Sequence, residues 1–251
     1  MKKSFIRFVW KIVTFFYRVK PPGKGRVSYP SWVKVFINEA PPRQVVEDMA
    51  DTYTEIFTDP MWGETWTKEE AIAKFVKEVN PSRPSFLCVV EGDEKNPVGG
   101  LCWGALIPVE KVEKEAFSAL GVKPEGLEET LRKRGIKHLL YFHEVALLPR
   151  FRKGPEPVKF LVRPGLELAF DHGVKANMFW SSPESKIVPL TKLLGYETIF
   201  RTQNEHGAEI VFLFNPNGAA NLKSAQNFTG KYFSVIFKFF SRIFRKISGK
   251  K

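Results

Sequence analysis

Residues Leu139–Leu148 read LLYFHEVALL, and the chain then turns through Pro149-Arg150-Phe151-Arg152-Lys153-Gly154. The apolar run predicts a strand, and the proline, basic and glycine residues predict its end. A helix follows over Val158–Asp171, despite Pro164, and a further strand over Ala176–Trp180. The run Ser185-Lys186-Ile187-Val188-Pro189-Leu190-Thr191-Lys192-Leu193-Leu194-Gly195-Tyr196-Glu197 then predicts a short helix over Lys186–Leu194, stopped by Gly195.

The rest of the middle of the chain alternates in the same way. Val33–Asn38 is a first strand. Pro42 opens a helical pattern in which Val45, Val46, Met49, Tyr53, Ile56 and Phe57 share a face. Thr67-Lys68-Glu69-Glu70 is a capping box that starts a second helix running to Val79. Phe86–Glu91 and Pro97–Leu106 form a hairpin around Gly92-Asp93-Glu94-Lys95-Asn96. Residues 109–135 are charged with sparse apolar positions and predict one or two surface helices. Tyr196–Arg201 and Glu209–Phe214 form a last hairpin. This mixture predicts an α/β domain over residues 31–215, with helices packed on one mixed, mostly antiparallel sheet.

The ends differ from the middle. The net charge of +12 sits in residues 1–26 and 223–251, which carry eight Lys or Arg each and no acid. The remainder holds 23 bases against 27 acids. A mildly acidic domain with two basic tails argues against a nucleic-acid binder. Residues 1–20 and 230–251 both predict basic amphipathic helices. Phe5, Phe8, Phe15 and Phe16 lie opposite Arg7, Lys11 and Arg18 in the first, and Phe233, Phe237, Phe240 and Phe244 lead the apolar side of the second. The charges interrupt each run too soon to cross a bilayer. Such helices suit an anionic membrane surface, with packing against protein as the alternative. Residues 21–30 and 216–229 read as linkers. The expected location is cytoplasmic, peripheral on a membrane. Cys88 and Cys102 lie in apolar strands and read as buried core thiols, and no metal-ligand spacing is present.

The order of these elements resembles the GNAT superfamily of acyl-CoA-dependent N-acyltransferases. The resemblance covers roughly residues 31–215. It rests on Pro60-Met61-Trp62-Gly63-Glu64-Thr65-Trp66, the Val98-Gly99-Gly100 hairpin return, the Glu144 to Pro149 strand and the Leu194-Gly195-Tyr196 stop. It implies acetyl-CoA or another acyl-CoA as co-substrate, an amine as acceptor and no metal. It places the backbone of Ala146, Leu147 and Leu148 along the pantetheine arm and Arg150, Arg152, Lys153 and Gly154 at the pyrophosphate. Ser185 falls near a coenzyme A-binding position, and Glu144 where a general base is often found. By strand alternation Glu144 shares a face with Ala146 and Leu148, and His143 points the other way.

Three positions depart from the family pattern. Pro155 and Pro157 stand where small residues are usual, which removes up to two N–H donors from an anion site. Thr191 stands where a tyrosine acid is usual, with Tyr141 and Tyr196 as possible substitutes. These departures keep a second reading open, that of a catalytically inactive GNAT-like scaffold at a membrane surface. Trp62 and Trp66 are candidates either for a cleft roof or for core packing. The acceptor, acyl length and oligomeric state are not set by the sequence.

Overall fold

The computed structural model describes residues 29–58, 65–79, 82–152, 156–185, 187–193, 195–205 and 207–218. The expected terminal helices, most of the two linkers and the segment around Trp62 lie outside them. The described elements run β1 Val33–Ile37, α1 Arg43–Phe57, α2 Lys68–Glu78, β2 Ser85–Glu91, β3 Val98–Pro108, α3 Val112–Leu120 and α4 Leu127–Lys133. They continue with β4 His138–Leu147, α5 Glu156–Asp171, β5 Asn177–Ser181, α6 Ile187–Leu193, β6 Glu197–Gln203 and β7 Glu209–Asn215.

The strands form one seven-stranded sheet in the order β1-β2-β3-β4-β5-β7-β6. Every neighbouring pair is antiparallel except β4 and β5, which are parallel. The mixed, mostly antiparallel sheet flanked by helices is the expected fold class. The capping box forms as read: Glu70 N–H donates to Thr67 Oγ1 at 3.2 Å, and Thr67 N–H donates to Glu70 Oε2 at 2.8 Å. Such a cap stabilises a helix by about 1 kcal/mol.

Helices cover both faces. On one face α1 and α2 bury Met49, Tyr53 and Phe75 against Leu101, Trp103, Ala146 and Leu148. Phe75 meets Trp103 edge to face, with ring centroids 5.0 Å apart. On the same face α3 and α4 bury Val112, Ala116, Leu120, Leu127 and Leu131 against Ala105, Ile107, Leu139 and Tyr141. These five apolar positions of 109–135 are therefore core residues, each at most 3% exposed, whereas Phe117 on α3 is 48% exposed. On the opposite face α5 packs Leu161 and Leu168 on Phe86, Cys102, Leu140, Phe142 and Leu147. Pro164 sits inside α5, and the helix runs through it. Gly165 follows because a Cβ there would stand 2.4 Å from the Phe86 ring, which is buried. Cys88 and Cys102 are free, buried and directly opposite one another on β2 and β3.

Candidate active site

Strands β4 and β5 pair at only two positions, Leu140 with Asn177 and Tyr141 with Met178. Beyond them each strand follows its other neighbour. β4 stays with β3 as far as Leu147, and β5 stays with β7 along its whole length. The two parallel strands therefore fork, and the far half of β4 has an edge without a strand partner among the described residues.

The hydrogen-bond pattern shows which backbone groups line that edge. Leu148 N–H donates to Gly99 O at 3.0 Å, so it is spent on β3. In an antiparallel ladder alternate residues point the same way. Ala146 and Glu144 therefore also face β3, whereas Val145 and Leu147 direct their N–H and C=O groups into the fork. Arg152 Nε donates to the Leu147 carbonyl at 2.7 Å. Ala146 and Leu148, whose backbone was expected along the cofactor arm, face β3 in the ladder, and their side chains are buried under α1 and α2. Val145, which the sequence reading passed over, is a fork residue with a side chain 37% exposed.

A bulge interrupts β4 next to the fork. Trp103 pairs with Glu144 and Gly104 pairs with Phe142, which leaves His143 as the extra residue. A bulge breaks strict alternation. His143 therefore does not point away from the Glu144 face as expected. Its ring meets Tyr141 edge to face at 4.9 Å on the α2 and α3 side, and Glu144 sits opposite Trp103 on that side. Gly104 allows the close approach, since a Cβ there would lie 2.4 Å from the Tyr141 carbonyl oxygen.

Around His143 lies a buried polar cluster. Glu78 accepts from Trp103 Nε1 at 3.0 Å and from Lys74 Nζ at 3.0 Å. Its Oε2 is 3.8 Å from His143 Nδ1, and Glu115 Oε2 is 3.7 Å from His143 Nε2. Arg83 pairs with Glu115 and brings Nη2 to 3.4 Å from His143 Nε2. Burial, then the cationic Arg83 and Lys74, push the His143 pKa down to about 3 against the pull of Glu115. The imidazole is neutral at pH 7. Burial raises Tyr141 well above the usual phenol range, helped by Glu78, Glu144 and Glu115. Tyr141 Oη, His143 Nδ1 and Arg83 Nε have no hydrogen-bond partner among the described residues. None of Glu78, Arg83 or Glu115 carries a motif in the sequence. The one local sign was His143-Glu144 interrupting an apolar run.

The remaining expected residues are distributed as follows. Glu144 is half-buried at the bulge, beside the fork. Arg150 is held by Asp93, Glu55 and Asn96. Lys153 and Gly154 lie outside the described residues. Ser185 stands at the start of α6, its carbonyl accepting from Val188 N–H at 3.1 Å. The Thr191 hydroxyl donates within its own helix, to Ile187 O at 3.1 Å and Val188 O at 3.0 Å. Burial raises the Tyr196 pKa above the usual phenol value. Trp66 packs on Tyr53 with centroids 5.3 Å apart, under the Lys74 ammonium at 5.6 Å, which is core packing. Among the described residues there is no cluster of metal-ligating side chains and no helix long and apolar enough to cross a membrane.

No protein-family model and no curated protein matches the chain. Solved structures do. The chain is similar to a protein described as arylalkylamine N-acetyltransferase 7 of the yellow fever mosquito Aedes aegypti, with TM-score 0.50 and 12% identity over 73% of this chain and 86% of that one. It is similar at TM-score 0.50 and 13% identity to a mutant agmatine N-acetyltransferase, over 73% of this chain and 99% of that one. At such identities the likeness is one of fold, and the fold is that of the GNAT N-acetyltransferases.

Proposed function

We propose that this GNAT-fold chain is an N-acyltransferase that moves an acyl group, acetyl in the simplest case, from coenzyme A to an amine at a membrane surface. The observation that carries the reading is the open edge of β4. A pantetheine arm is an extended chain with two amides, and it adds to a strand edge as a peptide would. Val145 and Leu147 offer backbone groups at the right spacing for that. The chain then leads directly through Arg152 to Lys153 and Gly154, which we assign to the pyrophosphate together with Ser185 across the fork. The fork residues fit such a ligand: beyond Tyr141 this edge of β4 has no strand partner among the described residues, and Arg152, whose Nε is spent on the Leu147 carbonyl, has its Nη nitrogens left.

Acyl-CoA supplies the activated thioester. The chain's own part is to hold it in line and to take the proton from the attacking amine. Glu144 is the residue we assign to that proton, because it is half-buried at the bulge next to the open edge. Thr191 cannot act as an acid, since its hydroxyl is committed within α6. That commitment, with the prolines at 155 and 157, favours the second reading, an inactive scaffold of the same fold. Calorimetric titration of the full chain with acetyl-CoA separates the two. Saturable micromolar binding supports the enzyme, and no binding at millimolar ligand leaves the scaffold.

The membrane part of the proposal rests on the tails. Helices over 1–20 and 230–251, joined to the 31–215 domain by linkers 21–30 and 216–229, would dock on anionic lipid at the cytoplasmic face. Two weak anchors on one chain reinforce each other. Phe237→Glu combined with Phe240→Glu is expected to release the protein from anionic liposomes in a co-sedimentation assay. Undiminished pelleting would remove lipid binding from the account.

A further inference from the structure

Arg150 follows β4 directly, in the turn Pro149–Phe151. Its guanidinium is shared among three acceptors from two distant parts of the chain. Nε donates to Asp93 Oδ2 at 2.7 Å and Nη2 to Asp93 Oδ1 at 3.3 Å, a bidentate pair. Nη2 also donates to Asn96 Oδ1 at 2.7 Å, and Nη1 donates to Glu55 Oε1 at 2.7 Å. The group lies over the Phe151 ring, 5.4 Å from its centroid.

Each partner is fixed in turn. Asp93 Oδ1 accepts from the N–H groups of Lys95 at 3.1 Å and Asn96 at 2.9 Å, which closes the β2–β3 turn. Glu55 stands on α1 and also holds Lys95 Nζ at 2.9 Å. Phe151 wedges between the cores on the two faces of the sheet. Two residues beyond Arg150, Arg152 ties back to Leu147 O. Every nitrogen of the Arg150 guanidinium is thus engaged within the chain, in planar fork geometry that lysine does not reproduce.

We propose that Arg150 is a positioning residue, and not itself a phosphate ligand: it clamps the end of β4 to the β2–β3 turn and to α1, and so sets where Arg152 and the loop after it stand. This rests on reading that loop as the pyrophosphate site.

A double-mutant cycle on the full chain tests it, with Arg150→Gln, Asp93→Asn and the pair. Acetyl-CoA affinity and amide exchange at Phe151 and Arg152 are the readouts. Each single change is expected to weaken acetyl-CoA by about tenfold, and the pair no more than either alone. With any amine that turns over, the loss falls on KM for acetyl-CoA more than on kcat, and Arg150→Lys restores only part of it. Exchange at Phe151 and Arg152 should quicken in both singles. If Arg150 instead held the pyrophosphate, Asp93→Asn would free it and leave binding equal or tighter, which overturns the clamp. If the unmodified chain binds no acetyl-CoA, the functional reading fails separately. Exchange then still decides the clamp, and unchanged exchange in both singles overturns it.

Discussion

Glu144→Gln is expected to lower turnover by roughly 10²- to 10⁴-fold, the usual contribution of a positioned base, while acetyl-CoA affinity stays within a factor of about two. The substitution is nearly isosteric and keeps a hydrogen-bonding side chain at the bulge, so the fold and the open edge of β4 are retained. What it removes is the carboxylate that accepts the amine proton. Loss of turnover without loss of binding is the signature of a group that acts only once the acyl donor is in place. The assay is thiol release from acetyl-CoA with the best of a panel of aliphatic and aromatic amines. Turnover equal to the unmodified chain removes Glu144 from the mechanism and leaves the buried cluster as the next place to look.

The second large effect is on stability. His143 titrates near 3 in the folded chain against 6.5 when unfolded. As pH falls below 6.5 the unfolded state takes up a proton that the folded state refuses, so stability drops with falling pH down to about 3. The shifted acids titrate lower. Asp93 is drawn down to about 2 by the Arg150 hydrogen bonds, and Glu55 and Glu70 lie below their ordinary value of 4.5. Their stabilisation is present above the unfolded pKa and is lost only further into acid. Between pH 6.5 and 4.5 the slope therefore belongs to His143, and it amounts to roughly 2–3 kcal/mol. His143→Phe keeps the ring against Tyr141 and should flatten that interval. Urea unfolding at pH 7, 5.5 and 4.5 measures it, and an equal slope in both proteins would contradict the buried neutral imidazole.

Periodicity made most of the fold legible. The order of strands and helices from Val33 to Asn215 follows from apolar runs, the Thr67–Glu70 capping box and the glycine stops, because those signals are local. The site was legible as a strand followed by a basic turn. Its directions were not. A single extra residue at His143 changes which side chains share a face, and nothing in LLYFHEVALL announces it, since a bulge belongs to the pairing with β3, where Gly104 leaves room for the Tyr141 carbonyl. Ala146 and Leu148 were singled out in place of Val145 for a similar reason: which N–H groups face the fork depends on the partner strand. The resemblance put Arg150 at the pyrophosphate from its place in the turn after the strand. Its acids, Asp93 and Glu55, lie 57 and 95 residues away along the chain and meet it only in the fold. The helices of 109–135 hid their core role because each buries only two or three apolar residues.

An acyl-CoA bound along the open edge of β4 shields the amides that face the fork, and amide hydrogen exchange of the full chain with and without saturating acetyl-CoA reads that shielding residue by residue. Strong slowing is expected at Val145 and Leu147, whose N–H groups face the fork, and little change at Ala146 and Leu148, already bonded to β3. Exchange at Val145 and Leu147 that is the same with and without ligand would contradict it.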